Sequence, residues 1–322
     1  MSEQRPQLAR PSRAAALLFW LIAAAGLLFG GTIVGLIVAM LGIESEQLRI
    51  LISNLFYYLP FVGLPLWRYL RRRPECAPAL RPNPISPSAA LLIALLAVVG
   101  MLFVNDLILL WAIPLQELGV NMNQPPMPLP AGRGELMLQI ISIAAIPAIF
   151  EELLFRGALL SAFERRGARR AAIYSSILFA LLHGTLPGLP AQFVLGLVMA
   201  WVVIYCDSIY AGLIYHTVHN AAILIVQCMQ DSGGASEFAP RYLDAIGGLP
   251  GVVGVLINAA IMGWLMRLIL RALRARAHAR GVIFASDQRE PLKRRERVLI
   301  ALVAVMALLL YLLTYLSLPP QP

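Results

Sequence analysis

The sequence predicts an all-α fold: a polytopic helical membrane protein of about nine transmembrane helices with a cytoplasmic N-terminus. Three observations lead there. Of 322 residues, 59% are hydrophobic and only 13% are charged, whereas soluble domains carry about 25% charged residues. Apolar runs of spanning length, roughly 17–25 residues each, recur along most of the chain. Arginine clusters also fall in alternate connections between those runs, which is a topology signal.

The elements follow in order. Met1 to Arg13 is polar and basic, and the apolar run after it continues from Ala14 to Gly42. That is longer than the short core of a cleaved leader, so an uncleaved first span is expected. It is long enough to tilt, or to break near Gly30-Gly31. Further spans are expected at about 48–67, 88–113, 136–163, 168–186, 190–206, 208–230, 249–270 and 298–318. The connection 114–134 carries Pro114, Pro125, Pro126, Pro128 and Pro130, which predicts an extended, non-helical outer segment. The chain divides into N-terminal helices with this proline-rich loop (1–134), a helical core (135–230), and C-terminal helices with a basic loop (231–322).

Charge orients the spans. Arg5, Arg10 and Arg13 precede the first; Arg68, Arg71, Arg72, Arg73 and Arg81 follow the second. Arg165, Arg166, Arg169 and Arg170 follow the fourth, and a run from Arg271 to Arg295 that includes Lys293 follows the eighth. The intervening connections are neutral or acidic, with Glu44, Glu46, Glu117, Asp231, Glu237 and Asp244. Threaded in order, every basic connection falls on one side, which the positive-inside rule makes cytoplasmic. The net charge of +9 is thereby read as topology and as attraction to anionic lipids at the cytoplasmic face, with no nucleic-acid partner. Cys76, Cys206 and Cys228 form neither a disulfide framework nor a metal knuckle. An integral membrane protein is expected, in the cytoplasmic (plasma) membrane if the source is bacterial.

The polar residues inside the spans carry the functional signal. Phe150-Glu151-Glu152-Leu153-Leu154-Phe155-Arg156 sits within an apolar stretch, and each charge at membrane depth costs roughly 2.5–3.5 kcal/mol on insertion scales. Glu152 and Arg156, Phe179 and His183, and His216 and Asn220 are each four apart, so each pair shares a helix face. Glu151 points about 100° from Glu152, free for another partner. Pro147 removes a backbone hydrogen bond just before the carboxylates and is expected to kink the span. At about 1.5 Å of rise per residue, Glu151 lies roughly 18 Å, His183 roughly 22 Å, and His216 and Asn220 roughly 12–18 Å from the cytoplasmic ends of their spans. This coincidence in depth predicts one shared, water-accessible cavity. His219 and Gln227 are read as interhelical hydrogen-bonding groups, and Asn105 and Asp106 as interfacial.

Glu151-Glu152-x-x-x-Arg156, Phe179-x-x-x-His183 and His216-x-x-x-Asn220, in that order on membrane helices, resemble the three-motif signature of the CAAX protease and bacteriocin-processing (CPBP, or Abi) intramembrane proteases. The Ras-converting CAAX prenyl endopeptidases belong to that family. The resemblance covers about residues 135–230. It implies an intramembrane glutamate-type endopeptidase in which Glu151 and His183 activate a water and His216 and Asn220 stabilise the oxyanion. Glu152, Arg156 and Phe179 are the supporting residues. It implies a membrane peptide or a lipidated protein C-terminus as substrate. No cofactor is expected. Zinc is the rival within enzymes, but HExxH is missing and His216 and His219 are three apart rather than four. Two other classes compete: a non-catalytic immunity or scaffold protein that retains the motif, and a transporter whose Glu/His set relays protons. The presence of donors as well as a base favours hydrolysis.

Overall fold

A computed structural model describes residues 9–121, 128, 130, 132–231, 243, 246–286 and 291–318. It is helical throughout, with no strand among the described residues. The helix α1 spans Arg13–Met40 without a break at Gly30-Gly31. Next, α2 (Glu46–Tyr58) runs through a π-turn at Leu59–Gly63 into α3 (Leu64–Arg72). The long α4 (Pro87–Glu117) follows. The central element is composite: α5 (Arg133–Gln139), a π-turn (Ile140–Ala145), α6 (Ile146–Glu152), a second π-segment (Leu153–Leu160) and α7 (Ser161–Phe163). Then come α8 (Ala168–Leu182), α9 (Leu189–Cys206), α10 (Ile209–Asp231), α11 (Gly248–Ala279) and α12 (Arg294–Ser317).

Among the described residues, eight helical stretches are long and apolar enough to cross a membrane. The expected fifth span is the exception in length. α8 has 15 residues, about 22 Å at 1.5 Å per residue, and stops where Gly184 turns to φ +65°. A span buried inside the bundle need not match the roughly 30 Å of hydrocarbon, because its ends are satisfied by protein. Trp20 of α1 donates to the Leu178 carbonyl and Tyr311 of α12 to the Ala180 carbonyl, at 2.8 and 3.2 Å. The Ala180 carbonyl also accepts from the His183 N–H at 3.3 Å, so the end of α8 is closed by backbone and side chain together.

The basic connections gather at one end of the bundle, as their charge pattern predicts. Arg10 and Arg81 both pair with buried Glu164, at 3.1 and 2.6 Å. Arg81 also reaches Asp207 at 2.9 Å, and Arg13 reaches Glu296 at 3.0 Å. The opposite end is joined by Trp111, which donates to the Leu186 carbonyl at 3.1 Å.

Three local expectations change. Pro114 lies inside α4 rather than in an extended loop; Pro125 and Pro126 fall outside the described residues. A proline near a helix end forfeits only one bond, and here the helix stops three residues later. Asp106 is buried rather than interfacial, because Asn258 of α11 donates to it at 2.7 Å. Gln227 is exposed and makes no interhelical bond among the described residues.

Candidate active site

Pro147 organises the central element. Its missing N–H leaves Ile143 without an α-helical partner and Ser142 without a π-helical one. Two asparagines from neighbouring helices supply the donors. Asn54 of α2 donates to the Ser142 carbonyl at 2.6 Å, and Asn220 of α10 approaches the Ile143 carbonyl at 3.4 Å. The π-turn thus lets the span change pitch just before Glu151 while its backbone stays paired in an apolar setting.

The adjacent carboxylates then diverge, as their 100° offset requires. Glu152 is fully buried and accepts from Arg156 Nη1 at 2.7 Å. Arg156 Nη2 in turn donates to the Gly196 carbonyl of α9 at 3.0 Å, and its guanidinium carbon lies 4.7 Å from the Phe179 ring centroid. Gly212 of α10 leaves the room that Glu152 occupies: a Cβ there would collide with the carboxylate. Gly212 is one turn before His216, so a single helix face provides both the gap and the imidazole.

His216 links the two carboxylates. Its Nδ1 lies 3.2 Å from Glu152 Oε1, and its Nε2 lies 3.9 Å from Glu151 Oε2. A carboxylate already held by arginine can only accept, so Nδ1 is the donor. Nε2 is then a lone pair in the neutral ring and an N–H donor in the imidazolium. Glu151 is held from its other side. Tyr58 of α2 donates to Oε1 at 2.5 Å, while Oε2, like Oε2 of Glu152, is buried without a hydrogen-bond partner among the described residues. A polar chain therefore runs Tyr58, Glu151, His216, Glu152, Arg156, Gly196.

His183 follows the end of α8, and its Nδ1 lies 2.9 Å from the Phe179 carbonyl. A carbonyl only accepts, so Nδ1 carries the proton and Nε2 of the neutral ring is left as an acceptor. The Phe179 ring touches both histidines, with centroids 4.5 Å from His183 and 6.0 Å from His216. Among the described residues, no hydrogen bond or ion pair joins His183 to Glu151 directly.

The structure thus joins Glu152, Arg156 and His216 by hydrogen bonds and places Glu151 beside them, 3.9 Å from His216. Phe179 and His183 flank it, and Asn220 sits one turn beyond His216. His219 is buried against Tyr215, ring centroids 6.0 Å apart, and hydrogen-bonds the Ala97 backbone of α4; it is the interhelical group expected. Among the described residues, no group of three or more His, Cys, Asp or Glu side chains is placed to hold a metal ion. Tyr58, Asn54 and Gly212 were not anticipated. The only sequence signal for Tyr58 is a phenol deep in an apolar span, which needs a partner when buried.

Residues 133–222 match the family described as Type II CAAX prenyl endopeptidase Rce1-like. All three motifs lie inside that range, in agreement with the resemblance they carry. No curated protein matches the chain. No solved structure matches it.

Proposed function

We propose that this integral membrane protein, with its Rce1-like segment at residues 133–222, is an intramembrane endopeptidase whose water is activated by Glu151 with His183. The family match points to a peptidase acting on peptide substrates. The observation that carries the finer reading is the unpartnered Oε2 of Glu151, facing Nε2 of a histidine that Glu152 anchors. A base needs a free lone pair near where water will sit. Glu151 Oε2 and the acceptor Nε2 of His183 both meet that requirement.

The reaction then runs as follows. Water between the base pair and the scissile carbonyl loses its proton as its oxygen attacks. The carbonyl oxygen becomes an oxyanion, which accepts hydrogen bonds from Nε2–H of a protonated His216 and from the Asn220 amide. Glu151 returns the proton to the leaving amine. With Glu151 and Glu152 ionised and Arg156 and His216 cationic, the cluster has no net charge, the cheapest state for a charged group at membrane depth. The substrate class carried over from the family is a lipidated protein C-terminus, reached within the membrane. The division into 1–134, 135–230 and 231–322, a cytoplasmic-membrane location and anionic lipid at the basic end belong to the same proposal.

The test is cleavage of a quenched lipidated peptide, and of its unlipidated counterpart, by purified wild type and Glu151→Ala. Absence of cleavage by wild type would end the hydrolase reading and favour the non-catalytic one, and equal turnover by both proteins would remove Glu151 as the base. Strong chelators are expected to leave the wild-type rate unchanged. The competing outcome, complete loss on chelation with recovery on adding zinc, would move the site to the metalloprotease class.

A second reading of Asn220 is favoured by its approach to the Ile143 carbonyl: it steadies the span that Pro147 interrupts. The two roles separate experimentally. If Asn220 donates to the oxyanion, Asn220→Asp and Asn220→Ala both lose about 10²–10³ in turnover with little change in peptide affinity. If its work is structural, the loss appears in melting temperature, and turnover per folded molecule persists.

A further inference from the structure

Tyr58 lies outside residues 133–222 and outside all three motifs, yet it holds the proposed base. Its phenol is 7% exposed and donates to Glu151 Oε1 at 2.5 Å. The ring is held on two sides. Phe150 stacks on it with centroids 5.4 Å apart and planes 12° from parallel, and Tyr57 meets it edge-on at 4.6 Å. The π-turn Leu59–Gly63 begins at the next residue. It brings Gly63 against Phe150, where a Cβ would sit 2.9 Å from the ring.

The bland account of a buried tyrosine is that its hydroxyl found some acceptor. Tyr57 shows what that looks like: its hydroxyl reaches the Ala23 carbonyl of α1 at 3.3 Å. Tyr58 instead takes a carboxylate, in the short, charge-assisted range of O–H···O⁻ bonds. Rotation about the last bond of a free glutamate is soft and roughly two-fold. A donor clamped on Oε1 removes that freedom and leaves Oε2 as the oxygen presented to water.

We propose that Tyr58 is a positioning residue for hydrolysis, holding the Glu151 carboxylate so that Oε2 alone acts as base. This rests on the hydrolase reading above. It also makes α2 part of the working site, so the matched segment by itself lacks one contributor.

Tyr58→Phe keeps the stacked ring and removes only the hydroxyl. The purified variant is compared with wild type, Tyr57→Phe and Glu151→Gln in the peptide assay. Tyr58→Phe is expected to lose about 10–100-fold in kcat, the range for groups that orient a functional side chain through a hydrogen bond. KM and melting temperature should stay unchanged, and Tyr57→Phe should match wild type. Infrared difference spectra supply a readout independent of turnover. The carboxylate band missing in Glu151→Gln should move in Tyr58→Phe. An unmoved band, a wild-type kcat, or a loss confined to KM or melting temperature would each overturn the assignment. If wild type itself fails to cleave, the hydrolase reading falls and Tyr58's kinetic role falls with it, while a moved band would still establish its hold on Glu151.

Discussion

Glu151→Gln is expected to abolish peptide hydrolysis while leaving the fold intact. The amide keeps the size of the side chain and can still accept from Tyr58, whose bond to Oε1 is 2.5 Å. It cannot take a proton from water. Loss of a general base typically costs about 10²–10⁴-fold, and in the proposed mechanism Glu152 does not substitute, because it is fully buried with Oε1 held by both Arg156 and His216. His183→Ala is expected to be similarly inactive for a different reason. It removes the acceptor Nε2 that the Nδ1 bond to the Phe179 carbonyl leaves free. Turnover of both purified variants, with circular dichroism and melting in detergent as fold controls, checks this. Near-wild-type turnover in either would sink the water-activating assignment.

Arg156→Ala is expected to lower stability and activity together. The guanidinium is 1% exposed, bonded to Glu152 at 2.7 Å and to the Gly196 carbonyl at 3.0 Å. Deleting it strands a fully buried carboxylate, and breaking a buried ion pair from one side costs about 3–5 kcal/mol. The carboxylate that loses its cation is the one holding His216, so that ring loses its fixed orientation and turnover falls even in molecules that remain folded. Melting temperature in detergent measures the first effect. An unchanged value would mean that the pair contributes nothing to the fold.

Much of this site was legible because membrane burial makes polar residues conspicuous. Glu151, Glu152, Arg156, His183, His216 and Asn220 interrupt apolar runs, and four-residue spacing assigns Glu152 to Arg156 without any structure. The divergence of Glu151 from Glu152 also follows from helix geometry, and the two carboxylates do take different partners. The shared depth of the motifs anticipated the junction of α6 with α10. It did not anticipate that Glu151 would meet His216, with His183 across the Phe179 ring from the cluster. Depth along an axis fixes height; the rotation of each helix about its axis is set by packing.

Composition, span length and the arginine pattern by themselves determined an all-helical membrane protein with its basic connections at one end. Those properties follow from the cost of exposing backbone and charge to hydrocarbon, which every residue meets locally. Spacing determined the Glu152–Arg156 pair for the same local reason. Only the tertiary structure decided the rest. The π-turn beside Pro147 depends on whether neighbouring helices bring donors to the released carbonyls, as Asn54 and Asn220 do. The short α8 is tied into the bundle by Trp20 of α1 and Tyr311 of α12, which reach its C-terminal end. Tyr58 became part of the site because α2 packs against α6, a contact between residues 93 positions apart that no local rule contains.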